Sequence, residues 1–491
     1  MRGPVGCNRA AAGARLRAMT DPTGSGAGDL AAATRRLDEA VARALAWLAE
    51  DAPRLGGRVT RRVDVGPGAI ERAAGHVAAG GPAQATIVCD VNTRRAAGEA
   101  LATALARRGR AVEVVVLEPR AGRAKVVCDD ETVAQVEAAV AGAGAVVAVG
   151  SGTVCDCVKL ATARRGKPFA VVATAASMNG YTSAIAAVLS RGVKRTVPAH
   201  MAEAVFADPA ILAAAPPEMN RAGFGDLASK PYSHMDWLLA HHLRGAPYDP
   251  RPAELLAGAF ERLLDAAHLV GSRDPAALGV LMRTIVVSGF SMALAGSSSP
   301  ASGGEHLASH YWDMERFAAG ALPRALHGLQ VGVATVLSAR LFERLLAADV
   351  PALLDRAAPF DPRRFDRLDR EHPTLPPAIV AEIRAQFERK QRIGQAQQAE
   401  RRRIAQGWPA LAQVLAEAFM PARRIEAALR AAGCPTSPAA FGVDRDHARR
   451  TLRVCRQIRD RYVGLDLLAD AGVLDPWSSE VVDEVYADAG G

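Results

Sequence analysis

Aromatic residues are scarce in this sequence, with Phe, Trp and Tyr making up 5% of its 491 residues. The net charge of +8 therefore comes without the stacking side chains that nucleic-acid grooves use. Between Arg363 and Arg403 the arginines are interleaved with Asp, Glu and Gln, a pattern typical of a solvated helical face. We therefore expect no nucleic-acid partner.

Long hydrophobic runs are also missing. The longest apolar stretch, TIVVSGFSMALAG at 284–296, is too short and too rich in Ser and Gly to span a bilayer. The first twenty residues lack the apolar core of a secretory signal. Residues 1–28 are small, Gly-rich and basic, which predicts a disordered extension. We expect a cytoplasmic protein with no membrane partner.

Cysteine is too infrequent for a disulfide framework, with seven residues in the whole chain. Cys89 and Cys128 lie in or beside apolar runs, and their spacing does not match a zinc ribbon. Cys155 and Cys157 form a C-x-C pair that could bind a soft metal, but packing at the start of a helix is the better explanation. Reduced thiols in the cytoplasm fit best.

Short apolar runs alternate with helical stretches between residues 85 and 208. ATIVCD (85–90), VEVVVLE (112–118), AVVAVG (145–150) and FAVVAT (169–174) are predicted strands, and AVFAD (204–208) could be a fifth. Continuous apolar strands separated by helices predict a parallel sheet covered on both faces. After about residue 215, long amphipathic runs predict helices instead. We therefore predict a Rossmann-like α/β domain over 29–215 and an all-α domain over 216–491.

Small and hydroxyl residues follow two of the predicted strands. Gly150 and Gly152 would let backbone N–H groups approach a ligand, and the helix that starts near Thr153 would favour a phosphate. Such a turn is, by itself, more often only a turn. Ser177 follows the next strand and could be a ligand contact or a helix cap. Because ligands bind at the carboxyl ends of parallel strands, both segments favour a dinucleotide site.

Two histidines four residues apart, His306 and His310, share one helical face, the spacing of many metal sites. Taken singly, Asp226 after a Gly-rich turn is more typical of a helix cap, and His327 on an apolar helix of a core residue. Together with His306 they offer one carboxylate and two imidazoles. That set suits one divalent cation and leaves a coordination position open.

Six motifs occur in a fixed order: GSGTVCD, TAASMNGYTS, GVKRTVPAH, RAGFGDLASK, SGGEHLASH and HGLQVGV. In this order they resemble the sn-glycerol-1-phosphate dehydrogenases, most closely the bacterial branch, within the metal-dependent alcohol dehydrogenase and dehydroquinate synthase superfamily. The resemblance runs from about residue 40 to 470. It implies a dehydroquinate synthase-like fold, a homodimer, and metal-assisted hydride transfer between NAD(P)H and dihydroxyacetone phosphate.

The resemblance also implies a role for each matched residue. Asp226, His306 and His327 would be the metal ligands, a set that accepts zinc, nickel or iron, and Asp226 would also face the substrate. His310 would contact the substrate and supply a proton without binding the metal. Lys194 would contact a phosphate of the cofactor or substrate. The implied cofactor contacts are Gly150, Ser151, Gly152, Thr153, Asp156, Thr174, Ser177 and Ser183.

Two choices stay open, one concerning the substrate and one concerning the cofactor. Asn179 occupies the place of a family Asp that contacts the substrate and takes part in catalysis, and this exchange keeps hydrogen bonding but loses a charge. Glu118, at the end of the second predicted strand, could accept hydrogen bonds from a ribose diol, which favours NAD. Arg120 and Arg123 could instead accommodate the 2′-phosphate of NADP.

Two alternative functions fit fewer residues. A sugar-phosphate cyclase of the dehydroquinate synthase type has Glu in its metal set where this chain has Asp226, which argues against that class. A catalytically altered family member with another hydroxy or keto substrate is suggested only by Asn179. We therefore expect a metal-dependent NAD(P) oxidoreductase that acts on a small phosphorylated substrate.

Overall fold

The computed structural model describes residues 29–80, 83–120, 123, 125–190 and 193–488. The extension predicted for residues 1–28 lies outside these ranges, as does the side chain of Lys194. Everything stated below concerns the described residues.

The described residues of the first half form eight strands. They are β1 Arg62–Val65, β2 Gln84–Asp90, β3 Ala111–Leu117, β4 Ala145–Gly150, β5 Ala170–Ala173, β6 Ile185–Ser190, β7 Val193–Pro198 and β8 Ala204–Ala207. Six of them form a parallel sheet in the order β1-β8-β5-β4-β2-β3. The other two, β6 and β7, form an antiparallel hairpin.

The five strands predicted from apolar runs are confirmed as β2, β3, β4, β5 and β8. The central strands β4 and β5 are buried along nearly their whole length, as expected of a sheet with helices on both faces. Sequence analysis missed β1 and the hairpin. In β1, Arg62 and Asp64 alternate with apolar residues and pair with each other, so this short edge strand has no continuous apolar run.

The helices around the sheet precede or connect its strands. A π-helical segment, Arg94–Gly98, links two of them. They are α1 Leu30–Asp51, α2 Ala69–Ala79, α3 Val91–Thr93, α4 Glu99–Ala106, α5 Asp130–Val140 and α6 Gly152–Arg165.

From residue 209 onward the described chain consists of helices and their connections, which confirms the predicted helical second half. Where a domain boundary lies stays a prediction. The helices are α7 Pro209–Ala214, α8 Pro217–Ala228, α9 Lys230–Arg244, α10 Arg251–Leu256, α11 Ala259–Asp265, α12 Ala267–Gly271, α13 Pro275–Ala295, α14 Gly304–Ala318, α15 His327–Ala347, α16 Val350–Arg356, α17 Leu368–Glu371, α18 Pro377–Lys390, α19 Gly394–Ala418, α20 Ala422–Ala431, α21 Arg445–Val454, α22 Gly464–Asp470 and α23 Leu474–Asp488.

Helix α13 is the apolar centre of this half. It is long and apolar enough to cross a membrane, but 94% of its most apolar window is buried inside the protein. Its residues pack in the same hydrophobic core as α1, α8 and α15. Helix α13 therefore behaves as the core helix of a folded domain.

Helices α8 and α15 approach each other so closely that glycine is required at the contact. A Cβ on Gly225 would overlap the carbonyl oxygen of Gly328, and a Cβ on Gly328 would overlap that of Ala222. Asp226 and His327 are the immediate neighbours of these two glycines. The backbone contact therefore brings a carboxylate and an imidazole from two helices to one place.

We predict that Gly328→Ala lowers the free energy of unfolding by about 1–3 kcal/mol, because the new methyl group must push the two helices apart. The matched control is Gly407→Ala in the exposed part of α19, where a Cβ meets nothing within 4 Å. That control should gain about 0.5–1 kcal/mol, because alanine replaces glycine in a helix interior. Urea unfolding of both variants measures the difference, and equal stability would contradict the packing argument.

Candidate active site

The carboxyl edge of the sheet contains a topological switch point. After β2, the chain forms β3 on one side of that strand and then crosses to its other side for β4, so the strand order reverses between β2 and β4. Ligands of such sheets bind outside the strand ends at this point. Strand β2 ends here at Asp90, and β4 ends at Gly150, just before α6 begins. The predicted cofactor turn is therefore at the expected edge.

The two polar segments predicted to bind a cofactor meet at this edge. The hydroxyl groups of Ser151 and Ser177 form a hydrogen bond, and the backbone N–H of Thr174 donates to the Gly150 carbonyl at 3.1 Å. Ser151 precedes α6 but its side chain does not cap the helix. The first N–H groups of α6, at Gly152 and Thr153, are therefore suited to receive a phosphate.

Other residues predicted to contact the cofactor have different positions. Asp156 accepts a hydrogen bond from the backbone N–H of Ala187 at 3.2 Å. Ser183 is buried and bonded within its own segment. Glu118 is exposed just beyond β3. Their cofactor roles stay predictions.

The two arginines considered for NADP are already engaged. Arg120 and Arg123 both form ion pairs with buried Asp129, the latter at 2.7 Å. Any 2′-phosphate would therefore compete with that carboxylate, which favours NAD. The choice between the two cofactors stays a prediction.

Asp226, His306 and His327 converge although they come from α8, α14 and α15. Each offers one ligand atom, and these three atoms lie within 4.8 Å of one another. Nε2 of His306 lies 4.0 Å from Oδ1 of Asp226. The imidazole centroids of His306 and His327 are 5.3 Å apart. One carboxylate and two imidazoles at this spacing fit a single divalent cation.

Neighbouring side chains orient both imidazoles. Nδ1 of His306 lies 2.8 Å from Oε1 of Glu305, and Nδ1 of His327 lies 3.0 Å from the Ser309 hydroxyl. Each ring thus has a polar partner at Nδ1, as in metal sites whose histidines are held by a second hydrogen-bond partner. Sequence analysis missed Glu305, although its position beside His306 was a usable signal.

Lys230 lies next to the carboxylate. Its Nζ is 2.8 Å from Oδ1 of Asp226, and both side chains are buried. Burial by itself would raise the pKa of Asp226, but Lys230, His306 and His327 outweigh it and hold that pKa below its usual value. The carboxylate is therefore ionised and suited to a cation. Lys230 was also missed, although it lies one helical turn after Asp226.

His310 joins the same group of rings. It stacks on His327 with a centroid separation of 5.1 Å and lies 6.2 Å from His306. Potential ligand atoms of His310, Asp313 and His327 also lie within 4.8 Å of one another. Two three-residue groups therefore share His327, and the geometry brings all three histidines together.

Asn179 links the sheet edge to the metal group. It begins a 3₁₀ turn, Asn179–Thr182, that follows β5. Its amide nitrogen lies 3.3 Å from the Ser288 hydroxyl and 3.5 Å from Oδ1 of Asp226. The residue that replaces the family Asp is therefore placed beside a candidate metal ligand, as its predicted substrate contact requires.

Comparison with known proteins identifies the family to which this chain belongs. The chain is 31% identical over 383 residues to a Bacillus subtilis protein named glycerol-1-phosphate dehydrogenase (NAD(P)+), covering 78% of this chain and 84% of that protein. The chain belongs to the glycerol-1-phosphate dehydrogenase family. A Bacillus velezensis relative of the same name is 31% identical over 390 residues, covering 79% of this chain and 86% of the relative. The family resemblance read from the six motifs is thus confirmed.

Two further likenesses concern the fold. Residues 64–216 match the family model for iron-containing alcohol dehydrogenase. The crystal structure of glycerol dehydrogenase from Schizosaccharomyces pombe superimposes with a TM-score of 0.56 at 13% sequence identity, covering 87% of this chain and 92% of that chain. This chain and its structural neighbour therefore share a fold in which a parallel sheet is followed by helices.

We predict that His327→Ala loses bound metal, whereas His310→Ala keeps it and loses catalysis or substrate affinity. The reason is that His327 belongs to both three-residue groups, while His310 is absent from the group built on Asp226. Metal content of the purified variants by inductively coupled plasma spectrometry measures the difference. Metal loss from His310→Ala equal to that from His327→Ala would place the ion in the other group.

We predict that Glu305→Gln weakens metal affinity by about 10–100-fold without destabilising the fold. The neutral amide can still accept from His306 but no longer places a negative charge behind the ring. Oε2 of Glu305 is buried with no hydrogen-bond partner among the described residues, and it shares the space beside Gly303 with Oδ2 of Asp236. The amide removes a negative charge that acts on buried Asp236, so the metal-free variant should unfold at a temperature no lower than wild type.

Metal titration gives the affinity for this test. Wild-type affinity in Glu305→Gln would show that the carboxylate charge has no effect on His306. Asp236 itself has its pKa raised to about 8, first by burial and then by Glu305. Stability measurements are therefore best made at one pH below 7 for all variants.

Proposed function

We propose that the protein is an NAD(P)-dependent sn-glycerol-1-phosphate dehydrogenase that interconverts dihydroxyacetone phosphate and sn-glycerol 1-phosphate. The contact between Asn179 and Asp226 carries this proposal, because it joins the cofactor edge of the sheet to the candidate metal group. The names of the Bacillus relatives support the substrate. A site with both a nicotinamide edge and a cation group suits reduction of a ketone.

Each residue of the site has a distinct task in this reaction. Asp226, His306 and His327 would hold the cation. When bound, it would stabilise negative charge on the substrate oxygen, and a reduced nicotinamide would supply the hydride. His310, stacked on His327, donates the proton that this oxygen needs. Asn179 donates a hydrogen bond to a substrate hydroxyl in place of the charged contact of the family.

The cofactor is held by the chain's own backbone at the switch point. The N–H groups at the start of α6 and the hydroxyl pair Ser151–Ser177 bind the pyrophosphate. The exposed carboxylate of Glu118 accepts from the ribose diol. Lys194, on the hairpin strand β7, binds a phosphate of substrate or cofactor. The metal is zinc, nickel or iron, since an Asp/His/His set accepts all three.

An altered substrate is the second candidate, and one observation favours it. The amide of Asn179 points a hydrogen at Asp226, so this wall of the site carries one negative charge fewer than the family pattern. A neutral wall suits a less polar hydroxy or keto substrate. The cyclase alternative gains nothing from the structure, because Asp226 keeps the shorter carboxylate that argued against it.

The cysteines of the chain support an inference about its cellular compartment. The six cysteines among the described residues are free and buried, which suits a reducing compartment. We infer a cytoplasmic enzyme. By family resemblance we also infer a homodimer, and light scattering of the purified protein at several concentrations tests it.

We predict that wild type reduces dihydroxyacetone phosphate with NADH in the presence of zinc, nickel or iron, and that Asn179→Asp does so equally or up to about tenfold faster. The added carboxylate restores a charge-assisted bond to the substrate. It also faces Asp226 at a position now only 3.5 Å away, so the metal-free variant should unfold at lower temperature than wild type. Added metal should reverse this difference.

Steady-state kinetics and melting curves with and without metal test both parts. The control is Asn179→Ala, which removes the contact without adding charge and should lower kcat/KM. No turnover from either wild type or Asn179→Asp, with metal and cofactor bound, would contradict the proposed function. Wild-type turnover of a less polar hydroxy or keto compound, weakened by Asn179→Asp and with none on dihydroxyacetone phosphate, would favour the altered-substrate alternative.

A further inference from the structure

Lys159 is a fully buried lysine on the helix whose first turn faces the cofactor edge. Its side chain has 0% exposure. It lies seven residues after Gly152, where α6 begins. Burial lowers the pKa of its ammonium group, which makes the group costly to hold inside the protein. Such a group needs a compensating set of acceptors.

The acceptors come from one short segment. Nζ donates to the backbone carbonyl groups of Gly180, Ser183 and Ile185, the last two at 2.9 and 3.0 Å, and lies 3.2 Å from the Ser183 hydroxyl. All of these atoms follow directly after Asn179. One ammonium group therefore binds three carbonyl groups of the segment that follows Asn179, the residue beside Asp226.

Helix α13 holds the same turn from a second element. The hydroxyl of Thr182 donates to the Val286 carbonyl at 2.7 Å. A Cβ on Gly289 would overlap the Thr182 hydroxyl and the Asn179 carbonyl oxygen, so the turn lies directly against the helix backbone. Next to this contact, the buried Ser288 hydroxyl accepts a hydrogen bond from the Asn179 amide. The turn is thus clamped between α6 and α13.

We propose that Lys159 is a positioning residue that fixes the Asn179–Thr182 turn, so that the Asn179 amide is held at Asp226 and the substrate. The cofactor helix and the substrate contact are then parts of one rigid unit. A misplacement of about 1 Å in such a contact can cost about 10²-fold in rate. This inference rests on the proposed function, since it assigns Asn179 to the substrate.

Lys159→Met tests the proposal, with Lys167→Met as the matched control. Lys167 lies just after α6 and its Nζ also donates to a backbone carbonyl, that of Ala143, at 2.6 Å. Ala143 precedes β4, at the opposite edge of the sheet from the site. For Lys159→Met we expect kcat/KM for dihydroxyacetone phosphate to fall about 10²-fold while metal content stays unchanged. Lys167→Met should keep wild-type kinetics.

A double-mutant cycle separates positioning from general damage. If Lys159 acts through Asn179, then Lys159→Met should have little further effect in an Asn179→Ala background, because the positioned group is already gone. Full additivity of the two losses would overturn the proposal. So would wild-type kinetics in a folded Lys159→Met protein, or an equal loss of kcat/KM in Lys167→Met.

Two further measurements keep the test decisive. If Lys159→Met does not fold, Thr182→Val releases the turn from its other side by removing one hydroxyl, and we expect a fall in kcat/KM of up to about tenfold. Unchanged kinetics in Thr182→Val would show that the bond to α13 does not position the turn, and would contradict the proposal. Hydrogen exchange of residues 179–185 needs no turnover: it should speed up in Lys159→Met and stay slow in Lys167→Met. A wild type without turnover would therefore contradict the proposed function alone.

Discussion

The backbone contact between α8 and α15 is the constraint on which the site depends. Asp226 and His327 are 101 positions apart in the numbering, and they meet because glycines at 225 and 328 let the two helices touch. Side chains at these positions would separate the helices and open the ligand set. The chemistry of the site therefore depends on helix packing. The backbone contact positions Asp226 and His327, although the contacting backbone atoms do not themselves act as ligands.

The Asp226 carboxylate already has two neighbouring hydrogen-bond donors, one charged and one neutral. Its carboxylate is shared by the Lys230 ammonium at 2.8 Å and the Asn179 amide at 3.5 Å. A divalent cation at this carboxylate must therefore compete with a buried ion pair, whose loss is costly when one partner stays charged and buried. Asn at 179 removes a negative charge that would help the cation. If this group binds a metal ion, its affinity would therefore depend on Lys230 and Asn179 as well as on the three candidate ligands.

The sequence predicted the fold where its signal was local. Continuous apolar runs located five strands, and motif order located Asp226, His306 and His327. The edge strand β1 was missed because its residues alternate in polarity. In β6 of the hairpin, buried Ala186 and Val188 alternate with partly exposed residues, unlike the continuously buried strands of the sheet. Lys159 was missed for a different reason: its meaning depends on carbonyl groups more than twenty residues away. Spacing along a chain cannot reveal which backbone atoms a buried ammonium will meet.

Three candidate ligands on three helices would also change how the stability of the folded state responds to its surroundings. An ion held by α8, α14 and α15 ties together segments that are far apart along the chain, and it binds only when they are assembled. Once such a site is mostly filled, each tenfold drop in free ion removes about 1.4 kcal/mol from the free energy of unfolding. The amount of intact protein in a cell, and its exposure to proteases, would then follow the supply of metal.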